Sequence, residues 1–197
     1  GAWTLKHSSL SIRLFARLHP DMITTVYVDD NSHQAAAVLR IVWGLEYGRD
    51  LKIIPFAPEQ GDPPDDAQAT LVLGDRTVAS PPLGYDYQID LVGRWHRHTG
   101  LPLPWAFWVC RTEACDTQLR NRLEFAARQG QSCGRALASY VAEDHGWPVD
   151  LATREIASNS QYHICCCTLD ALDELTHLAA LYGVLPAGTP GQTSQDT

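Results

Sequence analysis

Residues Ile89–Arg111 read Ile-Asp-Leu-Val-Gly-Arg-Trp-His-Arg-His-Thr-Gly-Leu-Pro-Leu-Pro-Trp-Ala-Phe-Trp-Val-Cys-Arg, and the architecture turns on this stretch. Asp90 to Thr99 predicts a short amphipathic helix, stopped by Gly100 and followed at once by Pro102. The aromatic run from Trp105 to Val109 then predicts a strand. Strand-like segments dominate upstream of this stretch and helix-like segments dominate downstream, so it marks the junction of two halves of different character.

Working outward on the upstream side, Gly1 to His7 carries no periodicity. Ser9 to Phe15 alternates small or polar with apolar groups, as a half-exposed strand does. Leu18-His19-Pro20-Asp21 is a turn, because the residue before a proline is pushed out of the helical region. The β-branched run Ile23 to Asp29 is a strand. Asp30, Asn31 and Ser32 are successive candidate caps, and His33 to Tyr47 carries Ala37, Val38, Ile41, Val42 and Leu45 at helical spacing, ending at Gly48. Leu51 to Phe56 is a strand, Ala57 to Asp66 an exposed loop, and Ala69 to Leu73 an apolar strand ending on Gly74-Asp75. This order of elements is the grammar of an α/β fold with a parallel or mixed sheet, whose strand carboxyl ends meet helix amino ends at a ligand crevice.

On the downstream side, Thr117 to Glu143 is helical in composition, with a break expected near Gln129 to Gly134. A short helix follows Trp147-Pro148-Val149-Asp150 as far as Ala157. Thr168 is read as the cap of a last helix, Leu169 to Tyr182, closed by Gly183. Residues 187–197 form a polar tail expected to be disordered.

Length and composition set the outer limits. A chain of 197 residues, 45% hydrophobic, can bury a real core. Fifteen Lys and Arg stand against 23 Asp and Glu, a net charge of -8, with no basic run. That balance excludes nucleic acid as an expected partner, and equally a polybasic membrane anchor. No unbroken apolar stretch has bilayer-crossing length, and no signal peptide opens the chain, which points to the cytoplasm. The chain begins at Gly1 and its single methionine is Met22, so it reads as a piece of a longer protein or a misplaced start. The six cysteines lack Cys-x-x-Cys spacing and three are adjacent, which favours reduced thiols.

Three constellations invite chemistry. His96 and His98 flank Arg97, but His-x-His on a helix sends the two rings to different faces, so solvated surface is preferred to a metal site. Cys165-Cys166-Cys167 alternates faces on an extended segment and is read as small hydrophobes. The serious candidate is Asp30-Asn31-Ser32-His33-Gln34-Ala35. A helix opening directly after a parallel strand offers unpaired N–H groups and a positive dipole end, suited to a carboxylate or phosphate, although the same residues also make a plain N-cap.

At these residues a resemblance enters. Asp90-Leu91, Trp95, Thr99-Gly100-Leu101-Pro102, Ala106 and Trp108 resemble the signature of chorismate dehydratase, the first enzyme of the futalosine route to menaquinone. Ser11-Ile12 with Leu14-Phe15 and Arg17, Tyr47-Gly48, Leu73-Gly74-Asp75 and Asn159 to Ile164 resemble further family segments, so the likeness runs from Ser9 to Leu185. It implies a fold like the type II periplasmic binding proteins. Residues 1–8 would be an N-terminal extension and 9–15 a strand crossing between lobes. Residues 16–103 would form lobe two, 104–186 the return strand and C-terminal helices of lobe one, and 187–197 the tail.

Two departures stand out. Roughly ninety residues, the size of a lobe, have no counterpart here, so lobe one would be incomplete and would lack the family's Ser-Tyr-Leu-Asn motif. The family's Ser-Ser-x-Thr-Ser at the lobe-two helix start is replaced by Asn31 to Ala35, where only Ser32 keeps a hydroxyl.

The resemblance implies a lyase that removes water from a small anionic substrate, chorismate, without metal or organic cofactor. Ser32 and the backbone at His33 and Gln34 would hold one carboxylate, with Ser11, Gly74 and Asp75 lining the cleft. A non-catalytic carboxylate-binding protein of the same fold, and a remnant lobe covered by homodimerisation, are the alternative expectations.

Overall fold

The computed structural model describes residues 1–58, 61–114 and 116–185. The chain folds into a mixed α/β structure with two sheets. Its larger sheet is built from β2 (Ile12–Ala16), β3 (Thr25–Asp29), β4 (Lys52–Phe56), β5 (Ala69–Leu73) and β6 (Tyr87–Asp90), in the order β4-β3-β5-β2-β6. β3 runs parallel to both β4 and β5, whereas β2 is antiparallel to β5 and β6. The sheet is therefore mixed. The smaller sheet is entirely antiparallel, with β1 (Ala2–Leu5) between β7 (Leu103–Phe107) and the two-residue β8 (Ser160–Gln161).

α1 (His33–Tyr47) and α2 (Leu91–Thr99) pack against each other, and α2 against β2, over one continuous core. Each helix stops where a glycine adopts the left-handed conformation that a Cβ disfavours: Gly48 at φ 62° and Gly100 at φ 70°. Asp90 caps α2 by accepting the Gly93 N–H. Trp43 and Trp95 are fully buried, and the Trp95 indole donates to the Pro102 carbonyl at 3.2 Å, fixing the turn between α2 and β7. α6 (Cys166–Leu181) lies against α1 and β7 and joins this core through Leu178 and Ala179.

The expected break in the long downstream helix falls at Cys133, between α3 (Thr117–Ser132) and α4 (Gly134–His145). α5 (Val149–Thr153) continues into a π-helical turn, Arg154–Asn159. Around Ala138, Ala142, Trp147 and Ala152 these elements build a second small core that takes in Leu10 and Val78.

Several expectations are corrected. Residues 1–8, read as a non-periodic extension, contain β1. Its polar Thr4 is fully buried, which breaks the alternation that would have betrayed a strand. The strand read at Trp105 to Val109 starts at Leu103 and ends at Phe107, leaving Trp108 and Val109 exposed beyond it. β6 and β8 are too short to carry a period. The last helix starts at Cys166, so Thr168 is its third residue; its Oγ1 accepts from the Cys165 N–H. Nor are the adjacent cysteines reduced, buried hydrophobes. Cys165 and Cys167 form a disulfide across an exposed Cys166, because the bend from extended Cys165 into the helix brings their Cα atoms to 5.3 Å. The tail expected at 187–197 lies outside the described residues, as do positions 59 and 60 of the loop read from Ala57 to Asp66. Among the described residues no helix is long and apolar enough to cross a membrane.

Candidate functional site

The topology brings the sequence candidates to one edge of the five-stranded sheet. β3 and β5 are parallel, so α1, which follows β3, opens beside the carboxyl end of β5. β2 is antiparallel to β5, so its amino end lies at that same edge, where the Gly74 N–H donates to the Ser11 carbonyl at 2.8 Å. Gly74 sits at φ 69°, which lets the chain turn sharply out of β5. Ser11, Ser32–Gln34 and Gly74–Asp75 thus lie at the same end of the sheet, the end at which α/β sheets arrange their ligand sites.

The side chains are not equally available. Ser32 is the N-cap residue of α1, but its hydroxyl makes no capping bond, and no acidic side chain occupies the helix's first turn. His33 is exposed. Gln34 is committed: its amide donates to the Pro104 carbonyl at 3.1 Å, tying the start of α1 to β7. Asp75 is committed as well. Its carboxylate accepts the Trp147 indole N–H at 2.9 Å and pairs with His145 at 2.7 Å, so it clamps the sheet edge to the end of α4.

Sequence reasoning missed the centre of this edge. Glu155, on the π-helical turn, is 6% exposed. It accepts hydroxyl hydrogen bonds from Ser9 at 2.5 Å and Ser11 at 2.8 Å, and the Leu10 N–H at 2.9 Å. Asn159 supports it from one helical turn away, its amide lying 3.5 Å from Glu155 and 3.1 Å from the Ser8 hydroxyl. A signal did exist. Glu155 lies three residues after Ala152 and one before Ile156, so a carboxylate interrupts an apolar helical stripe. Beside it, burial pushes the Asp90 carboxyl above its ordinary value, against the Gly93 N–H, Arg13 and the Ser9 N–H, with the Glu155 charge adding to the rise.

The two histidines diverge. His96 meets His7, ring nitrogens 3.2 Å apart, while the Nε2 of His98 is 3.7 Å from Glu46. Among the described residues no three His, Cys, Asp or Glu side chains gather as a metal-holding group. A small cavity of about 130 Å³ opens on the sheet beside this edge, lined by Asp29, Phe56, Thr70, Leu73 and Arg76, with Arg76 paired to Asp62 at 3.0 Å. A larger, apolar cavity of about 500 Å³ lies elsewhere, between the β1–β7 face and α3, and none of the candidate residues lines it.

The geometry can be set beside known proteins. A family model described as menaquinone biosynthesis matches residues 7–180. Protein AF1704 of Archaeoglobus fulgidus, a solved structure, superposes with a TM-score of 0.65 at 16% identity, over 94% of this chain and 72% of that one. At that identity the likeness speaks for the fold alone. No curated protein matches.

Proposed function

This chain belongs to the menaquinone-biosynthesis family, and from that premise we propose that it is a chorismate dehydratase-like lyase of periplasmic-binding-protein type. Its reaction would take the C3 proton and the C4 hydroxyl from chorismate to leave 3-[(1-carboxyvinyl)oxy]benzoate. Aromatisation supplies the driving force, so the protein's task is to hold two carboxylates, orient the ring and exclude water. The observation that supports the reading is that the start of α1, the end of β5 and the start of β2 lie at one end of the sheet. Ser32 and the His33 and Gln34 N–H groups hold one carboxylate at the positive end of α1, whose first turn contains no competing acid. Ser11, Gly74 and the clamped Asp75 form the facing wall.

The test is to incubate chorismate with the product of the whole reading frame and with the present chain, following substrate and product by chromatography. The expected result is consumption by the former, with the loss of the Ser32 hydroxyl in Ser32→Ala lowering it. If the whole product leaves chorismate untouched, the lyase reading fails.

A second reading is favoured by one observation: Ser32 carries the only hydroxyl among Asn31 to Ala35. The chain would then be a non-catalytic receptor for another small carboxylate. A thermal-shift screen in which unrelated acids stabilise the chain, while chorismate and its product do not, would favour it.

A further inference from the structure

Glu155 is a buried carboxylate that forms no ion pair with Lys or Arg among the described residues; hydroxyl and amide donors satisfy it instead. Burial of such a charge is tolerated only when its lone pairs are used, and here they are. The arrangement has a consequence for Ser11, which stays half-exposed at the crevice edge. A serine hydroxyl has one proton and two lone pairs. The Ser11 hydroxyl lies 2.8 Å from Glu155 Oε1 and 2.9 Å from the Ser9 hydroxyl, whose own proton is directed at the same carboxylate oxygen. Whichever neighbour takes it, the Ser11 proton points inward. To any group that meets it from outside this cluster, the Ser11 hydroxyl offers only a lone pair.

We infer that Glu155 is a positioning residue that makes Ser11 an acceptor, and so a recognition point for a hydroxyl group of the substrate and not for a carboxylate. Two negative groups stand behind Ser11: Glu155 itself, and Asp90, which accepts the Ser9 N–H at 3.2 Å. Arg13 lies 3.9 Å from Asp90, so it is Glu155 that disfavours an anion at this point. The start of α1 has the opposite polarity, presenting donors. The edge therefore sorts a ligand that carries an anionic group at one end and a hydroxyl at the other.

This inference rests on the chorismate reading, in which the hydroxyl is the one at C4. An acceptor facing that group orients it but supplies no proton. Ser11 is thus a binding group, and the proton needed by the departing hydroxyl comes from elsewhere.

The experiment compares two probes that carry the same pair of carboxylates. Chorismate has the ring hydroxyl, and 3-[(1-carboxyvinyl)oxy]benzoate does not. Affinities of the product of the whole reading frame, unmodified and carrying Glu155→Gln or Ser11→Ala, are measured for each by rapid-mixing fluorescence titration. Both substitutions are expected to weaken chorismate about three- to tenfold, the size of one neutral hydrogen bond, and to leave the other probe within about twofold. Equal losses for both probes would make Glu155 merely structural and overturn the inference. Where Glu155→Gln does not fold, Ser11→Ala decides alone: an unchanged preference between the probes overturns the inference. If the unmodified product of the whole reading frame binds neither probe, the chorismate reading itself falls and takes the inference with it, an outcome distinct from equal losses.

Discussion

The five-stranded sheet and the region around α3 contain similar apolar side chains and treat them differently. In the first, Leu14, Trp43, Leu91 and Trp95 are no more than 1% exposed, packed between β2, α1 and α2. In the second, α3 buries no residue, Phe125 is 60% exposed and Trp108 70%. Hydrophobicity alone does not bury a side chain; a second layer does. α1 and α2 each lie against the larger sheet and against each other. α3 meets α4 and otherwise has the cavity-lined approach to β1 and β7 beneath it.

From that contrast, stability should reside almost wholly in the first region. The largest effect is expected for Trp95→Ala, about 3–5 kcal/mol by chemical denaturation, since it empties a closed core and removes the hydrogen bond to Pro102. A loss under about 1 kcal/mol would break the comparison. Gly44→Ala comes next. A Cβ there would lie 2.2 Å from the ring of Tyr182, the residue that ends α6, so that ring must move out of its packing on α1, at about 1–3 kcal/mol despite alanine's better helix propensity. A stabilised variant would show that this interface has slack.

Asp90→Asn sharpens the comparison through pH. Asparagine also caps helices, so the Gly93 bond survives. The Asp90 carboxyl titrates higher in the folded chain than in the unfolded one, chiefly through burial. Its contribution favours folding at low pH and is lost as pH rises through that raised value. The melting temperature of the variant relative to the parent should therefore climb as pH increases across the carboxylate range, then level off. A flat or falling difference would mean that Asp90 is not desolvated as described. The smallest effect is expected for Phe125→Ser on α3, within about 0.5 kcal/mol. A loss approaching that of Trp95→Ala would show that α3 is part of a core after all.

At the crevice edge, the residues with local signatures were the ones legible in advance. Ser32 announces itself as a cap ahead of a periodic helix, and Gly74 as the stop of an apolar strand. What these residues face was not legible. Asp75 meets His145 and Trp147 seventy and seventy-two positions away, and Gln34 reaches Pro104 at the same range. Ser9 and Ser11 meet Glu155 across about twice that span of chain. No short-range pattern encodes such pairings.

The sequence by itself determined α1 to both of its ends, β5 to both of its ends, and α2 to within one residue of its start and to its stop Gly100. Each is specified by a period of side chains and by a terminus residue, within one window of neighbours. Only the tertiary structure decided that Thr4 would be buried in a strand, that two residues at Ser160 would complete a sheet, and that Cys165 would close on Cys167. It also decided the one point that gives the crevice edge its polarity. The direction of the Ser11 proton is set by a carboxylate 144 residues further along the chain, brought there by the packing of the C-terminal helices on the sheet.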